Sequence, residues 1–124
     1  MYQVTVRFMT KFNDIMLDLE TLGTKSDAAI IQIGACYFDR ETGEIGEKFR
    51  VNVEPDLSRF TVEWGTVKWW MLQSEEARQS VTGEAVSMST AIRDLHDFLD
   101  FLDRDDVCLW AHERYPHTDR HIAS

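Results

Sequence analysis

The sequence predicts a mixed α/β domain, with a three-strand meander followed by helices and one further strand. Short apolar runs rich in β-branched and aromatic residues indicate buried strands in the N-terminal half. Strong helix formers and a stripe of apolar residues at three- and four-residue spacing indicate helices after them. A last apolar run, Val107 to Trp110, indicates another buried strand.

The first three strands are predicted from their apolar patterns. Asp14 to Leu19 is a compact apolar run interrupted by one acid, and Ala28 to Phe38 is a longer one. Turn-forming residues, among them Gly43 and Gly46, follow the second run. The segment from Phe49 to Val53 then alternates apolar and polar residues, which predicts a hairpin.

Two helices are predicted between Pro55 and the last strand. The segment TVKWWMLQSEEARQS has strong helix formers, with Thr66 as its N-cap and Gly83 at its end. The second helix runs from about Ser89 to Leu102. It carries one apolar stripe, made of Ile92, Leu95, Leu99 and Leu102.

The composition is that of one soluble domain with one core. The chain has 124 residues, of which 44% are hydrophobic and 28% charged. It contains no apolar stretch near the roughly 20 residues of a membrane helix, and no secretory signal. We therefore expect a cytoplasmic protein that does not enter a membrane. Cys36 and Cys108 lie inside apolar runs, which predicts buried free thiols and no disulfide framework.

The charge balance opposes binding to a polyanion. Thirteen basic and twenty-two acidic residues give a formal net charge of −9, without the basic footprint of a sequence-reading DNA-binding domain. The objection weakens for an enzyme whose carboxylates hold divalent cations, because bound cations supply local positive charge. The balance therefore excludes neither class of protein.

Asp18 and Glu20 are the candidate metal ligands. Residues two apart in a strand face the same side, so both carboxylates point together from the end of an otherwise apolar strand. Their mutual repulsion is costly unless a cation lies between them. Oxygen-only ligands suit Mg²⁺ or Mn²⁺ rather than zinc.

The string DIMLDLETLG resembles the first motif of the DEDD exonuclease superfamily, whose members have the RNase H-like fold. That motif is an Asp-x-Glu at the end of the first strand with Thr and Gly close behind, and Asp18, Glu20, Thr21 and Gly23 match it. Together with TVKWWMLQSEEAR, the string is similar to the phage and bacterial branch grouped with exonuclease VIII and the small 3′-to-5′ exoribonucleases. The resemblance covers most of the chain, from Phe12 to about His112.

This resemblance implies a metal-dependent 3′-to-5′ exonuclease that acts on the 3′ end of RNA or single-stranded DNA. In such enzymes two ions about 4 Å apart bridge the scissile phosphate. By resemblance, Asp18 bridges both ions and Glu20 binds one. Thr21 would meet the 3′-terminal nucleotide through its backbone amide and Leu22 through apolar packing; an ordinary loop contact is an equal alternative for Leu22.

Three tryptophans have two alternative roles. Bases stack on aromatic faces at about 1–3 kcal/mol each, which would suit Trp64, Trp69 or Trp70, but core packing is the better interpretation for at least one. On a helix Trp69 and Trp70 diverge by about 100°, so we expect one of them at the surface or the cleft.

The resemblance ends after His112, where Glu113 to Pro116 replace the Gly, small residues and Phe-Asp of relatives. The final motif with its base and last Asp is also missing. We therefore expect an RNase H-like sheet that is incomplete at the C-terminus, from a truncated or frameshifted gene. The predicted divisions are an N-terminal extension at 1–12, a partial exonuclease domain at 13–112 and an irregular tail at 113–124.

The incomplete motif set predicts low intrinsic activity, because two carboxylates cannot place two ions and a base about a phosphate. A sheet face left bare by missing helices favours self-association. The alternative function is a catalytically inactive remnant, or a nucleic-acid- or protein-binding module that keeps the fold.

Overall fold

One mixed sheet dominates the computed structural model, which describes residues 12–99, 108–115 and 118–123, with side chains as far as 111. In this described part six strands lie in the order β4-β3-β2-β1-β5-β6. The strands are β1 (Asp14–Thr21), β2 (Ile30–Phe38), β3 (Ile45–Glu54), β4 (Val86–Ser87), β5 (Cys108–Tyr115) and β6 (Thr118–Ala123). The helices are α1 (Trp64–Met71), α2 (Glu75–Thr82) and α3 (Met88–Phe98).

The strand pairing confirms the predicted fold class. β1 pairs antiparallel with β2, and β2 pairs antiparallel with β3, which makes the meander. β5 returns after the helices and pairs parallel with β1, so β1 is flanked on both sides. A side chain on β1 therefore lies in the middle of the sheet, with a neighbouring strand on each side.

The core lies on one face of this sheet. Ile33, Val53 and Ala91 form a buried cluster, and partly buried apolar residues of β1, β3 and α3 pack against it. The rings of Tyr37 and Phe98 lie 5.1 Å apart, and the Tyr37 hydroxyl donates a hydrogen bond to the Phe98 carbonyl at 3.0 Å. Because alternate strand residues face opposite sides, Asp18 and Glu20 point away from this core.

The first predicted helix is two helices. α1 ends at Met71, and Ser74 caps α2 by accepting a hydrogen bond from the Ala77 amide at 3.1 Å. The Arg78 guanidinium donates to the Gln73 carbonyl at 2.5 Å and stabilises the break. Thr66 lies within the first turn of α1 rather than at its N-cap, whereas Gly83 ends α2 as predicted.

α3 is shorter than predicted within the described residues, and its buried face differs. Ser87 caps it by accepting from the Thr90 amide at 3.2 Å. Ala91 is fully buried and Leu95 packs against the core, whereas Ile92 is 51% exposed. The predicted apolar stripe is therefore wrong at Ile92; Leu102 lies outside the described residues.

The predicted irregular tail at 113–124 is instead largely β-structure. β5 continues to Tyr115, and β6 pairs antiparallel with it at the edge of the sheet. An edge strand is held by backbone hydrogen bonds and needs no apolar alternation, so its sequence pattern is weak. Of the predicted extension at 1–12, residues 1–11 lie outside the described part of the chain.

Cys36 and Cys108 are free, as predicted, but both are only partly buried. No helix in the described ranges has the length and apolar character that would let it cross a membrane.

Candidate metal and substrate site

Asp18 and Glu20 lie on the same face of β1, as the alternation along a strand predicts. Across the β1–β2 pair Asp18 faces Gly34 and Glu20 faces Gln32. Both carboxylates line one open cavity of ≈ 770 Å³. Oδ1 of Asp18 and Oε1 of Glu20 are shielded from solvent. The structure therefore brings the two predicted ligands together beside a space large enough for part of a nucleotide.

The floor of the cavity beside Asp18 is open because residue 34 is glycine. A Cβ at Gly34 would lie 3.8 Å from the backbone oxygens of Asp18 and Phe49, which is ordinary van der Waals contact. Beside Gly34, the side-chain amide nitrogen of Gln32 donates hydrogen bonds to Asn52 Oδ1 at 2.8 Å and to the Ser80 carbonyl at 2.9 Å. These bonds fix the Gln32 side chain next to Glu20.

Two cations share this face of the sheet. Arg50 is the partner of Gly34, and Lys48 is the partner of Cys36, in the β2–β3 register. Since neighbouring strands lie about 4.8 Å apart, the backbones of Asp18 and Arg50 are separated by about 10 Å. Both cationic residues are exposed and line the same cavity. A local positive edge thus lies beside the acids in a strongly acidic chain.

A third acid on the same face of β1 has a structural role. Asp14 is 3% exposed, and its Oδ1 accepts a hydrogen bond from the indole N–H of Trp110 at 3.1 Å. The same oxygen forms an ion pair with Arg40 Nε at 3.4 Å. Asp14 thus bonds to Trp110 and Arg40 at the opposite end of β1 from Glu20.

The donor set fits a hard divalent cation but is small. The residues for which side chains are described contain no group of three or more His, Cys, Asp or Glu that could hold a metal ion. Two carboxylates leave most of the six oxygen positions around Mg²⁺ to water and substrate, which is a common arrangement for that ion. Burial raises the pKa of the Cys36 thiol, which disfavours its thiolate form.

The predicted substrate residues Thr21 and Leu22 begin the turn directly after the acids. The β1–β2 register shifts between Glu20 and Thr21, an irregularity of the kind that re-aims residues beside functional sites. The Thr21 hydroxyl donates to the Gly23 carbonyl at 2.7 Å, and the Leu22 amide donates to the Ala29 carbonyl at 2.8 Å. Leu22 is partly buried and lies within this bonded turn.

Two residues, Trp70 of α1 and Glu63 at the N-cap of that helix, hold the turn, and the sequence did not indicate this role for either. The Glu63 carboxylate accepts hydrogen bonds from the amides of Thr24 and Lys25, and the Glu63 amide donates to the Leu22 carbonyl at 2.8 Å. The bond from the Thr24 amide is the main reason that the pKa of Glu63 lies below its usual value. The Trp70 indole N–H donates to the Thr21 carbonyl at 2.9 Å.

The three tryptophans of this region differ in exposure. Trp64 is 63% exposed, and the Lys68 ammonium lies 5.9 Å from the centre of its ring. Trp69 and Trp70 are both partly buried, and their rings meet edge to face with centroids 4.9 Å apart. Trp70 is thus the tryptophan that contacts the turn behind Glu20.

A family model described as "3′-5′ exoribonuclease Rv2179c-like domain" matches residues 13–121 of the chain. The match begins at the predicted domain boundary and continues past residue 112, where the sequence resemblance was expected to end.

One curated relative with a similar sequence is a phage nuclease. The exodeoxyribonuclease of Enterobacteria phage T4 is 24% identical over 106 residues, which cover 78% of this chain and 46% of that protein. The chain thus spans about half the length of this curated relative.

Two solved structures share the fold. Exonuclease I of E. coli in complex with a dT13 oligonucleotide superposes with a TM-score of 0.57 at 19% identity, covering 80% of this chain and 20% of that one. The nuclease domain of 3′hExo, a DEDDh family member bound to rAMP, gives a TM-score of 0.54 at 13% identity, covering 82% and 52%.

Proposed function

This chain belongs to the family of 3′-5′ exoribonuclease Rv2179c-like domains, and on that premise we propose that it is a metal-dependent 3′-to-5′ exonuclease. Its substrate is the 3′ end of a single-stranded nucleic acid, in which a phosphodiester bond is hydrolysed. The family is described by this activity, and its model matches residues 13–121 of the chain.

One observation carries this proposal: Asp18 and Glu20 share a face of the central strand and line one open cavity. Two carboxylates that share a strand face and a cavity repel each other, and a divalent cation bound between them would offset that repulsion. The same pair on an ordinary protein surface would face solvent separately. Here one oxygen of each is shielded at the wall of a space open to a ligand.

Asp18 and Glu20 are the residues that would hold Mg²⁺ or Mn²⁺. When bound, such an ion polarises a phosphoryl oxygen and lowers the pKa of bound water. The chain's own part is to place the two carboxylates at the end of β1 and to leave the cavity floor open at Gly34.

Thr21 and Leu22 are the proposed contacts to the 3′-terminal nucleotide, because they directly follow the two acids in a turn fixed by hydrogen bonds. Lys48 and Arg50 face the same cavity and supply positive charge for a neighbouring phosphate. This local arrangement answers the objection raised by the net charge of −9, because attraction of a phosphate depends on the charges nearest to it.

Whether the substrate contains ribose or deoxyribose is determined by comparing RNA and DNA strands. The family is described as exoribonucleases, the phage T4 relative as an exodeoxyribonuclease, and the two structural relatives were solved with rAMP and with a dT oligonucleotide. Single-stranded RNA and DNA of the same sequence are therefore the two arms of the experiment.

The test is a hydrolysis and binding assay on 5′-labelled single strands with Mg²⁺ or Mn²⁺. We expect products shortened stepwise from the 3′ end, at a low rate, and loss of both hydrolysis and metal-dependent binding in the variant Asp18→Ala, Glu20→Ala. A strand labelled at the 5′ end shows the direction of degradation directly.

The matched control is Glu41→Ala, Glu84→Ala, which removes the same charge from exposed positions outside the cavity. It should behave as the wild type. Metal-dependent binding of the strand without hydrolysis would instead support the binding-module alternative. Hydrolysis that survives in the double Asp18, Glu20 variant would refute the proposed site.

A further inference from the structure

We propose that Trp70 and Glu63 are positioning residues that hold the turn Thr21–Lys25 in the conformation that receives the 3′-terminal nucleotide. The inference rests on the proposed function, since it assigns a task to the turn beside the two acids. Neither residue contacts the acids through any bond described above; both act on the backbone that follows them.

The turn has few internal bonds to fix it. Within the turn and its immediate return, the described bonds are those from the Thr21 hydroxyl to Gly23, from Leu22 to Ala29 and from Ala28 to Lys25. The tip is exposed from Thr24 to Asp27. A loop of this kind would sample several conformations unless another element holds it. α1 does so together with its N-cap residue, Glu63.

Trp70 fixes the first peptide plane of the turn. The Thr21 carbonyl and the Leu22 amide belong to one planar peptide unit. The Trp70 indole N–H donates to the Thr21 carbonyl at 2.9 Å, and the Leu22 amide donates to the Ala29 carbonyl at 2.8 Å. Because both polar groups are held, the orientation of this peptide plane is fixed.

Trp70 is itself supported. Its ring lies edge to face against Trp69 with centroids 4.9 Å apart, and α1 carries both residues. Such ring pairs favour a defined geometry. The donor that meets Thr21 is therefore pre-oriented and does not need to be ordered when substrate arrives.

Glu63 fixes the second half of the turn. Its amide donates to the Leu22 carbonyl at 2.8 Å, and its carboxylate accepts from the Thr24 and Lys25 amides. A Cβ at Gly23 would lie 2.6 Å from Glu63 Oε2, so the carboxylate reaches this position only because residue 23 is glycine. Leu22 is thus held on both sides, at its amide and at its carbonyl.

A positioning role and a purely structural role predict different results. Loss of a structural bond lowers the melting temperature and leaves substrate affinity per folded molecule unchanged. Loss of a positioning bond weakens recognition of the 3′ end in a protein that remains folded, since the contacts of Thr21 and Leu22 are made only in the ordered turn.

The test compares Trp70→Phe with Trp69→Phe. Both keep an aromatic ring in the edge-to-face pair, and only the first removes the N–H that meets Thr21. We expect faster amide hydrogen exchange in residues 21–25 of Trp70→Phe and unchanged exchange in β2. Loss of one hydrogen bond predicts affinity for a 3′-hydroxyl strand in Mn²⁺ that is weaker by about 2- to 10-fold.

Further measurements distinguish a failure of the positioning role from a failure of the proposed exonuclease function. Affinity for Mn²⁺ alone should equal that of the wild type, and Glu63→Ala should loosen the same segment from its other end. Identical exchange and strand affinity in Trp70→Phe and Trp69→Phe would overturn the inference. A wild type that binds no strand in Mn²⁺ would refute the proposed function, while exchange in residues 21–25 would still decide whether Trp70 orders the turn.

Discussion

Asp18 lies directly opposite Gly34 in the antiparallel pair of β1 and β2. The glycine is not required by its backbone conformation, since its φ is not positive and a Cβ would make only ordinary contacts at 3.8 Å. What it provides is open space beside the carboxylate, between the acids on β1 and Arg50 on β3. A longer side chain at this position would enter the cavity.

Gly34→Leu is therefore expected to reduce hydrolysis on the order of 100-fold, because the side chain displaces the ligand from the two carboxylates. Gly34→Ala should fold normally and lose much less activity, since its methyl group fits the available space. Rates on a single strand in Mn²⁺, with thermal unfolding of each variant, provide the measurement. Equal losses in both variants would show that the backbone, rather than the open floor, requires glycine.

Glu63 should make the stability of the turn pH-dependent. Its pKa is lowered from 4.5, chiefly by the bond from the Thr24 amide, with a further contribution from the charge of Lys25. A carboxylate with a depressed folded-state pKa stabilises the protein above its unfolded pKa, and this contribution is lost as the pH falls through the folded value. Wild type should therefore exceed Glu63→Gln in melting temperature at pH 7, and the difference should shrink below pH 4.5.

The control for this pH series is Glu84→Gln, which neutralises an exposed carboxylate elsewhere on the surface. Its difference from the wild type should stay small across the range. A Glu63→Gln difference that grows on acidification would contradict the assigned sign.

The parts of the site that were predicted are local in sequence. Asp18 and Glu20 were found together because alternation within a single strand places them on one face. Lys48 and Arg50 join them only through the register of two further strand pairs. The bonds of Glu63 and Trp70 to the turn span 39 and 49 residues, so no local pattern in the sequence indicates them.

The predicted parts of the fold also follow from patterns that are local in sequence. The meander, the presence of helices and the further strand after them follow from apolar periodicity, whereas the parallel pairing of that strand with β1 was not predicted. The family match confirms the exonuclease resemblance. The break after α1 and the edge strand β6 were missed, because a short cap and a backbone-paired edge leave little trace in periodicity. The cytoplasmic location, and the roles of Asp18, Glu20, Thr21 and Leu22, stay predictions.

Ile33 and Ile92 test where the core lies. Ile33 is 1% exposed in the central cluster, whereas Ile92 is 51% exposed although its helix spacing predicts burial. Ile33→Ala should lower the free energy of unfolding by about 2–5 kcal/mol. Ile92→Ala should change it by about 0.5 kcal/mol or less. Urea unfolding of both variants measures these free energies. A large decrease for Ile92→Ala would place that side chain in the core.

Thr66 offers a stabilising substitution. The residue is fully buried in α1, and its hydroxyl has no hydrogen-bond partner among the residues that the structure describes. An unpaired buried hydroxyl costs about 1–3 kcal/mol, and valine keeps the β-branched shape without it. Thr66→Val should therefore raise the melting temperature by about 4 °C per kcal/mol gained.

Thr90→Val is the matched control for Thr66→Val and should have the opposite effect. The Thr90 hydroxyl accepts a hydrogen bond from the Ser87 hydroxyl at 3.1 Å, in the first turn of α3, and valine would remove that acceptor. Differential scanning calorimetry of the two variants gives the comparison. A lower melting temperature for Thr66→Val would mean that its hydroxyl forms a bond in solution. The expected result, a higher melting temperature for Thr66→Val and a lower one for Thr90→Val, would come from hydrogen bonding and not from the change of threonine to valine itself, because the change in shape is the same in both.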